Sequence, residues 1–246
     1  ITAENVIRNQ LFLDEGDPFS EILLSKSINN IKSLNFFKNV DSKIQINDDN
    51  QTKSVDIYLE EKPTGEIFAA AGTGTSGTSI GFGVKENNFL GRGIGLDTNF
   101  MISSHEFKGK FSVTNPNFNN SDKSVFLSVE ALENDNYKTF GYKTNKTGFS
   151  FGTNFEYLND FYLGLSNSNF YEKIETNSTA STLQQAQEGN YWDSFIKINL
   201  NYDKRNQKFQ TTSGFKSFYS LDLPIISDTN TIKNYYNYSY YFNFFE

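Results

Sequence analysis

From residue 66 to its end, the chain alternates apolar and polar residues with a period of two. Successive residues of a β-strand point to opposite faces of the sheet, so this period predicts strands with one apolar and one polar face. Clusters of Asn, Gly, Asp, Ser and Lys separate the runs, at intervals that suit strands of about 9 to 11 residues, and about ten strands are expected. The expected outward series begin with Phe68, Ala70 and Gly72, then Ile80, Phe82 and Val84, and end with Tyr236, Tyr238 and Tyr240.

The composition indicates whether the apolar faces of the strands contact lipid or a second sheet. The chain has 25 Phe, 14 Tyr and one Trp, and aromatic residues make up 16% of it although hydrophobic residues reach only 37%. A soluble core would use more Leu, Ile and Val, whereas a transmembrane β-barrel needs one apolar face per strand, aromatic girdles and a polar lumen. The predicted fold is therefore mainly β, a transmembrane antiparallel β-barrel. A soluble β-sandwich remains an alternative, because alternation alone does not distinguish lipid from a second sheet.

The expected connections differ in length. Compact turns are predicted at 115–120, 158–160 and 227–233, and longer polar connections at 133–146 and 171–193. Short connections at one end and long ones at the other are typical of outer-membrane barrels. No apolar stretch approaches the roughly 18 residues of a membrane-spanning helix. The net charge of -7 is the wrong sign for a nucleic-acid surface.

Residues 1–62 follow a different pattern and form a predicted first unit. Thr2 is expected to cap a short helix with Val6, Ile7 and Leu11, and Ser20 a second helix that ends near Leu34. Two alternating runs, 40–46 and 55–59, predict strands joined by a turn at 47–52. The predicted order is helix, helix, strand, strand. A polar connector with Pro63 and Gly65 separates this unit from the second, which spans residues 66–246.

The candidate enzymatic and metal motifs lack the surroundings that their chemistry needs. Gly72, Gly74 and Gly77 match a dinucleotide-binding fingerprint, but a strand pattern follows where a helix is required, so a hairpin is expected. Ser104, His105 and Glu106 are adjacent, whereas a hydrolase triad converges from separate positions. One His and no Cys cannot build a typical zinc site. No catalytic residue, metal site or cofactor is predicted.

Three turns and the first unit carry a resemblance to a known family. The run Asn88, Phe89, Leu90, Gly91, Arg92, Gly93 resembles an N-x-L-G-x-G turn, and the run from Val113 through Asn115 and Pro116 to Phe118 resembles a T-N-P-x-F turn. Asp203, Arg205, Phe209 and Gly214 resemble a D-x-R turn that leads to F-P-T-x-G, with Gln210 in place of Pro. These motifs resemble the BamA outer-membrane assembly factors, within the wider group of barrels preceded by POTRA domains.

The resemblance extends over nearly the whole chain. The first unit is similar to the last POTRA domain ahead of such a barrel, without the strand with which that domain begins. The family barrel has sixteen strands and a later V-R-G-F loop, so the resemblance implies that this sequence is a fragment with the N-terminal part of the barrel. It also implies a Gram-negative-type outer membrane, with the POTRA domain in the periplasm.

The implied function is the folding and insertion of other β-barrels, without covalent chemistry. Expected partners are unfolded barrel clients, accessory assembly lipoproteins and outer-membrane lipid. The first barrel strand, Glu66 to Thr73, is short and rich in Ala and Gly, so its seam with the closing strand should open readily. An open edge would pair with an incoming strand through the backbone groups of Glu66, Phe68, Ala70 and Gly72. The alternative is that residues 66–73 form an ordinary barrel strand without this role.

A second class of function also fits the pattern, namely a polypeptide-exporting transporter or a passive pore of the same barrel group. The number of POTRA domains upstream distinguishes the two classes: several would favour an assembly factor, and one or two an exporter.

Overall fold

The N-terminal unit consists of two helices and a two-stranded sheet. The computed structural model describes residues 1–47, 52–74, 77–207, 210–228 and 230–244. Helices α1 (Glu4–Arg8) and α2 (Glu21–Ser33) precede the antiparallel strands β1 (Phe37–Asn47) and β2 (Thr52–Glu61). The predicted order of elements is confirmed. Most of the predicted turn, residues 48–51, lies outside the described residues.

The helix caps differ from the prediction in one case. The hydroxyl of Ser20 accepts a hydrogen bond from the Leu23 N–H at 3.4 Å, as expected for the N-cap of α2. For α1 the prediction was wrong: Ala3 is the N-cap residue, and no side chain caps the helix. The helix ends at Arg8, so Leu11 lies beyond it and packs at the border of the core.

The core of this unit joins both helices to β1. Ile31 has no exposed surface, and it clusters with Val6, Phe36, Phe37 and Val40, each less than a tenth exposed. The apolar positions of α2 recur at three- and four-residue steps, which places them on one face of the helix. This burial fixes the position of α1, whose preceding residues reach the second unit.

The second unit is one antiparallel sheet of ten strands, in which each strand pairs with its neighbours in sequence. About ten strands were predicted, and this is confirmed. Among the described residues β3 and β12 are the edges of the sheet, so it is not closed. The strands are β3 (Gly65–Gly74), β4 (Gly77–Phe89), β5 (Ile94–Ser103), β6 (Glu106–Asn115), β7 (Lys123–Asn136), β8 (Tyr142–Leu158), β9 (Phe161–Thr176), β10 (Gly189–Asp203), β11 (Gly214–Ile226) and β12 (Lys233–Tyr241).

Three short helical segments lie in the connections. They are a 3₁₀ turn (Phe118–Asn120), α3 (Tyr137–Phe140) and α4 (Thr182–Gln185). None of the helices in the described ranges, of which the 13-residue α2 is the longest, is long and apolar enough to cross a membrane.

Strand register gives the sheet one apolar and one polar face. Residues that pair directly share a face, and Phe82 pairs with Phe100 just as Leu127 pairs with Phe151. The opposite face carries residues such as Lys110, which pairs with Glu130. The exposed apolar face suits lipid and the polar face a lumen.

β3 is the exception to the expected faces. The register pairs Ala69 with Phe82, so Ala69 belongs to the apolar face. Phe68, Ala70 and Gly72 therefore lie on the polar face, and the predicted outward series of this strand was wrong by one residue. In a strand of Ala and Gly the hydrophobic contrast is too small to set the register, and pairing with β4 decides it.

The predicted bounds of the two long connections were wrong, because strands extend into both of them and leave 137–141 and 177–188 as the connections. β7 to β10 are 14 to 17 residues long, so 133–136 and 142–146 are paired strand, as are 171–176 and 189–193. Strand residues beyond a membrane need no apolar face, and charged pairs line them: the Lys143 Nζ lies 2.6 Å from Glu133 Oε1.

Turn length does not separate the two ends of the sheet either. The connection at 227–232, predicted to be compact, lies at the same end as α3 and α4, since strands alternate in direction. The opposite end holds the turns at 90–93 and 116–122, and also the longer connection at 204–213.

Candidate functional site

β3 forms one free edge of the sheet. It pairs with β4 along its whole length and has no second partner among the described residues. All ten of its positions are exposed. Its outer row of backbone N–H and C=O groups has no partner strand among the described residues.

Contacts between β3 and β4 on the polar face involve small residues and one ring. A Cβ on Gly83 would overlap the ring of Phe68, so this ring lies against the β4 backbone. Ala70 faces Gly81, and a Cβ built on Gly81 would lie 4.0 Å from that of Ala70. Sequence analysis missed this packing, although Gly81 and Gly83, two residues apart on one face, are the signal that indicates it.

The N-x-L-G-x-G residues form the turn after β4. The Asn88 Oδ1 accepts a hydrogen bond from the Gly93 N–H at 2.7 Å and closes the turn. The φ angles of Leu90, Gly91 and Gly93 are +55°, +72° and +66°. Glycine at two of these three positions lowers the conformational strain of the turn.

The N-terminal unit sits directly on this turn. The Ala3 N–H donates to the Gly91 carbonyl at 2.7 Å, and the Asn88 Nδ2 donates to the Thr2 hydroxyl at 2.8 Å. A Cβ on Gly91 would overlap the carbonyl oxygen of Ile1, and one on Gly93 would lie 3.1 Å from Val6 Cγ1. The two glycines thus allow the close approach of the two units as well as the turn.

The T-N-P-x-F residues form the neighbouring turn on the same side. The Asn115 Oδ1 accepts a hydrogen bond from the Asn117 N–H at 3.2 Å, next to Pro116. The Asn5 Nδ2 of α1 donates to the Asn120 Oδ1 at 3.2 Å. A cavity of about 330 Å³ lies between α1 and the two turns. The two motif turns, 90–93 and 116–122, together with residues 2–9, make up what we call the junction.

Two carboxylates strengthen the junction. The Glu86 carboxylate accepts hydrogen bonds from the Asn88 N–H, at 2.7 Å, and from the Thr64 hydroxyl. The Glu61 carboxylate accepts the Thr2 N–H, and this hydrogen bond lowers the pKa of Glu61 below its usual range. Neither glutamate was identified from the sequence, because Thr2 lies 59 residues from Glu61 and Thr64 lies 22 residues from Glu86.

The third motif closes a separate turn between β10 and β11. The Arg205 guanidinium makes a bidentate contact with Asp203, with Nε to Oδ1 at 2.8 Å and Nη2 to Oδ2 at 2.7 Å. Gly214 has a φ of +101°, and a Cβ there would overlap the Lys204 carbonyl oxygen. Phe209 lies outside the described residues. The structure thus brings two of the three motifs together at the junction, while the third stabilises its own turn.

The excluded motifs occupy structural positions. Gly74 pairs with Gly77 at the end of the β3–β4 hairpin, whose residues 75 and 76 lie outside the described residues. His105 lies in the β5–β6 turn, where its Nδ1 is 3.0 Å from the Asp135 carbonyl oxygen. Within the described ranges, no group of three His, Asp or Glu residues is placed to hold a metal ion.

Two family models match the chain. Residues 88–246 match the Omp85 superfamily domain, and residues 1–62 match the POTRA model, described as a surface antigen variable number repeat. The first match covers more than half of the chain.

Solved structures share the fold. BamA from Haemophilus ducreyi lacking POTRA domains 1–3 is 20% identical with a TM-score of 0.73, over 92% of this chain and 46% of that one. CdiB from Escherichia coli is 12% identical with a TM-score of 0.57, over 96% of this chain and 47% of that one. The chain thus spans just under half the length of these structures. With its POTRA unit and its ten-stranded antiparallel sheet, the chain belongs to the Omp85 superfamily and is an outer-membrane β-barrel protein whose POTRA domain lies in the periplasm.

Proposed function

We propose that the protein folds and inserts β-barrel proteins into the outer membrane, by pairing client strands with the free edge of β3. The observation that carries this proposal is the composition of that strand, which is rich in Ala and Gly. Few large side chains are available to hold it to a closing strand, so the seam opens at low cost.

Backbone recognition suits a protein with many clients. An incoming strand that adds to β3 exchanges main-chain hydrogen bonds, which every sequence except proline can form. Pairing also satisfies the client's own N–H and C=O groups before they enter lipid, where each unsatisfied group costs several kcal/mol. The reaction therefore needs no covalent chemistry, catalytic side chain or cofactor, and the protein is not an enzyme.

The junction gives the POTRA domain its part in this function. Because residues 2–9 lie against the turns that follow β4 and β6, the domain sits at the periplasmic end of the strands next to β3, whose outer edge we call the gate. We propose that unfolded clients approach β3 from this side and that accessory assembly lipoproteins act on the POTRA domain.

Two disulfide locks in the full-length protein test the proposal. The first joins a cysteine at Ala70 to a cysteine on the strand that closes against β3, and it should abolish insertion of a barrel client into liposomes until a reductant is added. The control joins Ala70→Cys to Gly81→Cys, whose Cβ separation of 4.0 Å suits a disulfide. It locks β3 to β4 but leaves the outer edge free, so insertion should persist. Unchanged insertion with the first lock closed contradicts the gate assignment.

The alternative function gives a different result in the same system. A polypeptide exporter or passive pore would move its passenger through the lumen. In that case cysteines on the lumen face, such as one at Lys110, would trap a passenger while no client became inserted. If a client is instead trapped by a cysteine on β3 and clients are inserted into the liposomes, the result supports the function of an assembly factor.

A further inference from the structure

The cavity between α1 and the two motif turns differs in charge from the chain as a whole. We call it the junction cavity, and its volume is about 330 Å³. The chain has a net charge of -7, yet among the described residues that line this cavity Arg92 is charged and none is a carboxylate. Six asparagines also line it: Asn5, Asn9, Asn115, Asn117, Asn119 and Asn120. The lining is therefore positive and rich in amide groups.

Several hydrogen-bond donors of this lining are unused. The amides of Asn5 and Asn117 donate hydrogen bonds within the protein, at 3.2 and 3.4 Å. Within the part of the chain that the structure describes, the amide N–H groups of Asn9 and Asn115 and the guanidinium of Arg92 have no acceptor. Asn9 and Asn115 are partly buried, so donors left unpaired there cost free energy. Such a set of donors suits an anion with several oxygens.

The two carboxylates of the junction do not supply this anion. Glu86 accepts two hydrogen bonds from the chain around it, and Glu61 accepts the Thr2 N–H. Neither glutamate lines the junction cavity. No ion pair holds the Arg92 guanidinium in the described ranges, and the residue is exposed. Its charge is therefore available to a ligand from outside the chain.

The two motif turns also expose large apolar side chains. Leu90 is 74% exposed and Phe118 is 53% exposed. The φ of Leu90 is +55°, a conformation in which leucine is strained, so the backbone of the turn does not account for this side chain. The apolar face of the sheet continues to these turns, because Leu96 pairs with Val113 close to the ends of β5 and β6. Apolar side chains beside a cation are typical of surfaces that lie in a membrane interface.

The position of the junction cavity indicates which anions surround it. It lies at the periplasmic end of the strands, where the POTRA domain contacts the barrel. At this end the lipid-facing surface leaves the hydrocarbon core and enters the headgroup layer of the periplasmic leaflet. Phospholipids share a phosphate group at this depth, and a guanidinium can bind phosphate through two parallel hydrogen bonds.

We propose that the junction cavity binds the phosphate group of a phospholipid from the periplasmic leaflet. The Arg92 guanidinium and the amides of Asn9 and Asn115 donate hydrogen bonds to the phosphate oxygens. Leu90 and Phe118 contact the acyl chains. Because Asn9 belongs to the POTRA domain and Arg92 to the barrel, the bound lipid joins the two units. This inference depends on the periplasmic position of the junction and is independent of the gate function.

Two lipids with the same acyl chains test the recognition of phosphate: phosphatidylglycerol, and a glucosyl diacylglycerol that has hydroxyl groups but no phosphate. Native mass spectrometry of the full-length protein measures the ratio in which the two are retained from an equal mixture. A charge-assisted hydrogen bond changes affinity about tenfold, so Arg92→Gln should lower the ratio of phosphatidylglycerol to glycolipid by about that factor. Lys173→Gln removes the same charge at the outer end of β9 and should leave the ratio unchanged. The heat-modifiable mobility of each variant reports folding, and an unchanged ratio in a folded Arg92→Gln protein overturns the proposal.

Inorganic phosphate distinguishes a lipid from a free anion. When it replaces chloride at equal ionic strength, the retained phosphatidylglycerol should stay bound. Displacement of the lipid would assign the junction cavity to free phosphate and overturn the lipid assignment.

A crosslinking measurement identifies the class of partner. A benzophenone-bearing phenylalanine at position 118, activated in native outer membranes, should yield phospholipid adducts. Adducts with protein alone would overturn the proposal and assign the two turns to a contact with a periplasmic protein.

Discussion

Gly91→Ala should release the POTRA domain from the barrel. Gly91 has a φ of +72°, and its backbone lies so close to Ile1 that a Cβ would overlap the carbonyl oxygen of that residue. The chain before α1 must therefore move away from the turn. This movement breaks the hydrogen bond from the Ala3 N–H to the Gly91 carbonyl, at 2.7 Å, and that from Asn88 to Thr2, at 2.8 Å.

The size of the effect follows from these contacts. The left-handed strain of an alanine at position 91 is present in the docked and undocked states alike, so it does not change their ratio. Each lost hydrogen bond costs about 1 kcal/mol. The two lost hydrogen bonds reduce the stability of the docked arrangement by about 2 kcal/mol, which lowers the ratio of docked to undocked protein roughly 30-fold.

Distances between spin labels measure docking directly. Nitroxides on cysteines at Ile22 and Leu158, both exposed, report the separation of α2 from the periplasmic end of β8. Gly91→Ala should replace a narrow distance distribution by a broad one and slow client insertion. Gly16→Ala is the matched control, because Gly16 has a φ of +99° but no atom within 4 Å of an added Cβ. A narrow distribution in the Gly91 variant would show that the contacts at this turn do not hold the domain.

Three further outcomes are expected. The lowered pKa of Glu61 means that its hydrogen bond with Thr2 stabilises the N-terminal unit at a pH above the ordinary value of about 4.3, and this contribution disappears as the pH falls through the lower value, so the free energy of unfolding of this unit should fall at acidic pH more in the native protein than in Glu61→Gln. Phe68→Ala removes the ring that covers Gly83 and should speed amide hydrogen exchange in β3, with no change in β6. Equal exchange rates of β3 in the variant and the native protein would contradict this packing. Ile31→Ala should destabilise the POTRA domain by about 2 to 5 kcal/mol in chemical denaturation, whereas Ile22→Ala, on the exposed face of α2, should cost less than about 0.5 kcal/mol.

Local pattern was sufficient to predict the elements and most of their faces. Apolar residues at alternate positions of β4 to β11 identify the lipid face, because a pleated strand sends successive side chains to opposite sides. Ser20 marks the start of α2 because a hydroxyl there accepts a free N–H of the first turn. The motif turns could be located because their glycines and asparagines suit left-handed backbone.

The candidate site was only partly predictable. The gate assignment to Glu66, Phe68, Ala70 and Gly72 stays a prediction, and the structure places these residues on the lumen face. The role of Thr2 and Glu86 in completing the junction could not be predicted, because Thr2 binds Asn88 and Glu86 binds Thr64 across distant parts of the chain.

The sequence by itself therefore determined the number of strands, the motif turns and the lipid-facing surface of β4 to β11, since each of these depends on residues a few positions apart. The tertiary structure alone decided the register of β3, the extension of β7 to β10 into the predicted connections and the docking of the POTRA domain on the turns after β4 and β6. In these three cases the free energy comes from pairing and contact between distant segments, where local hydrophobic contrast is weak or absent.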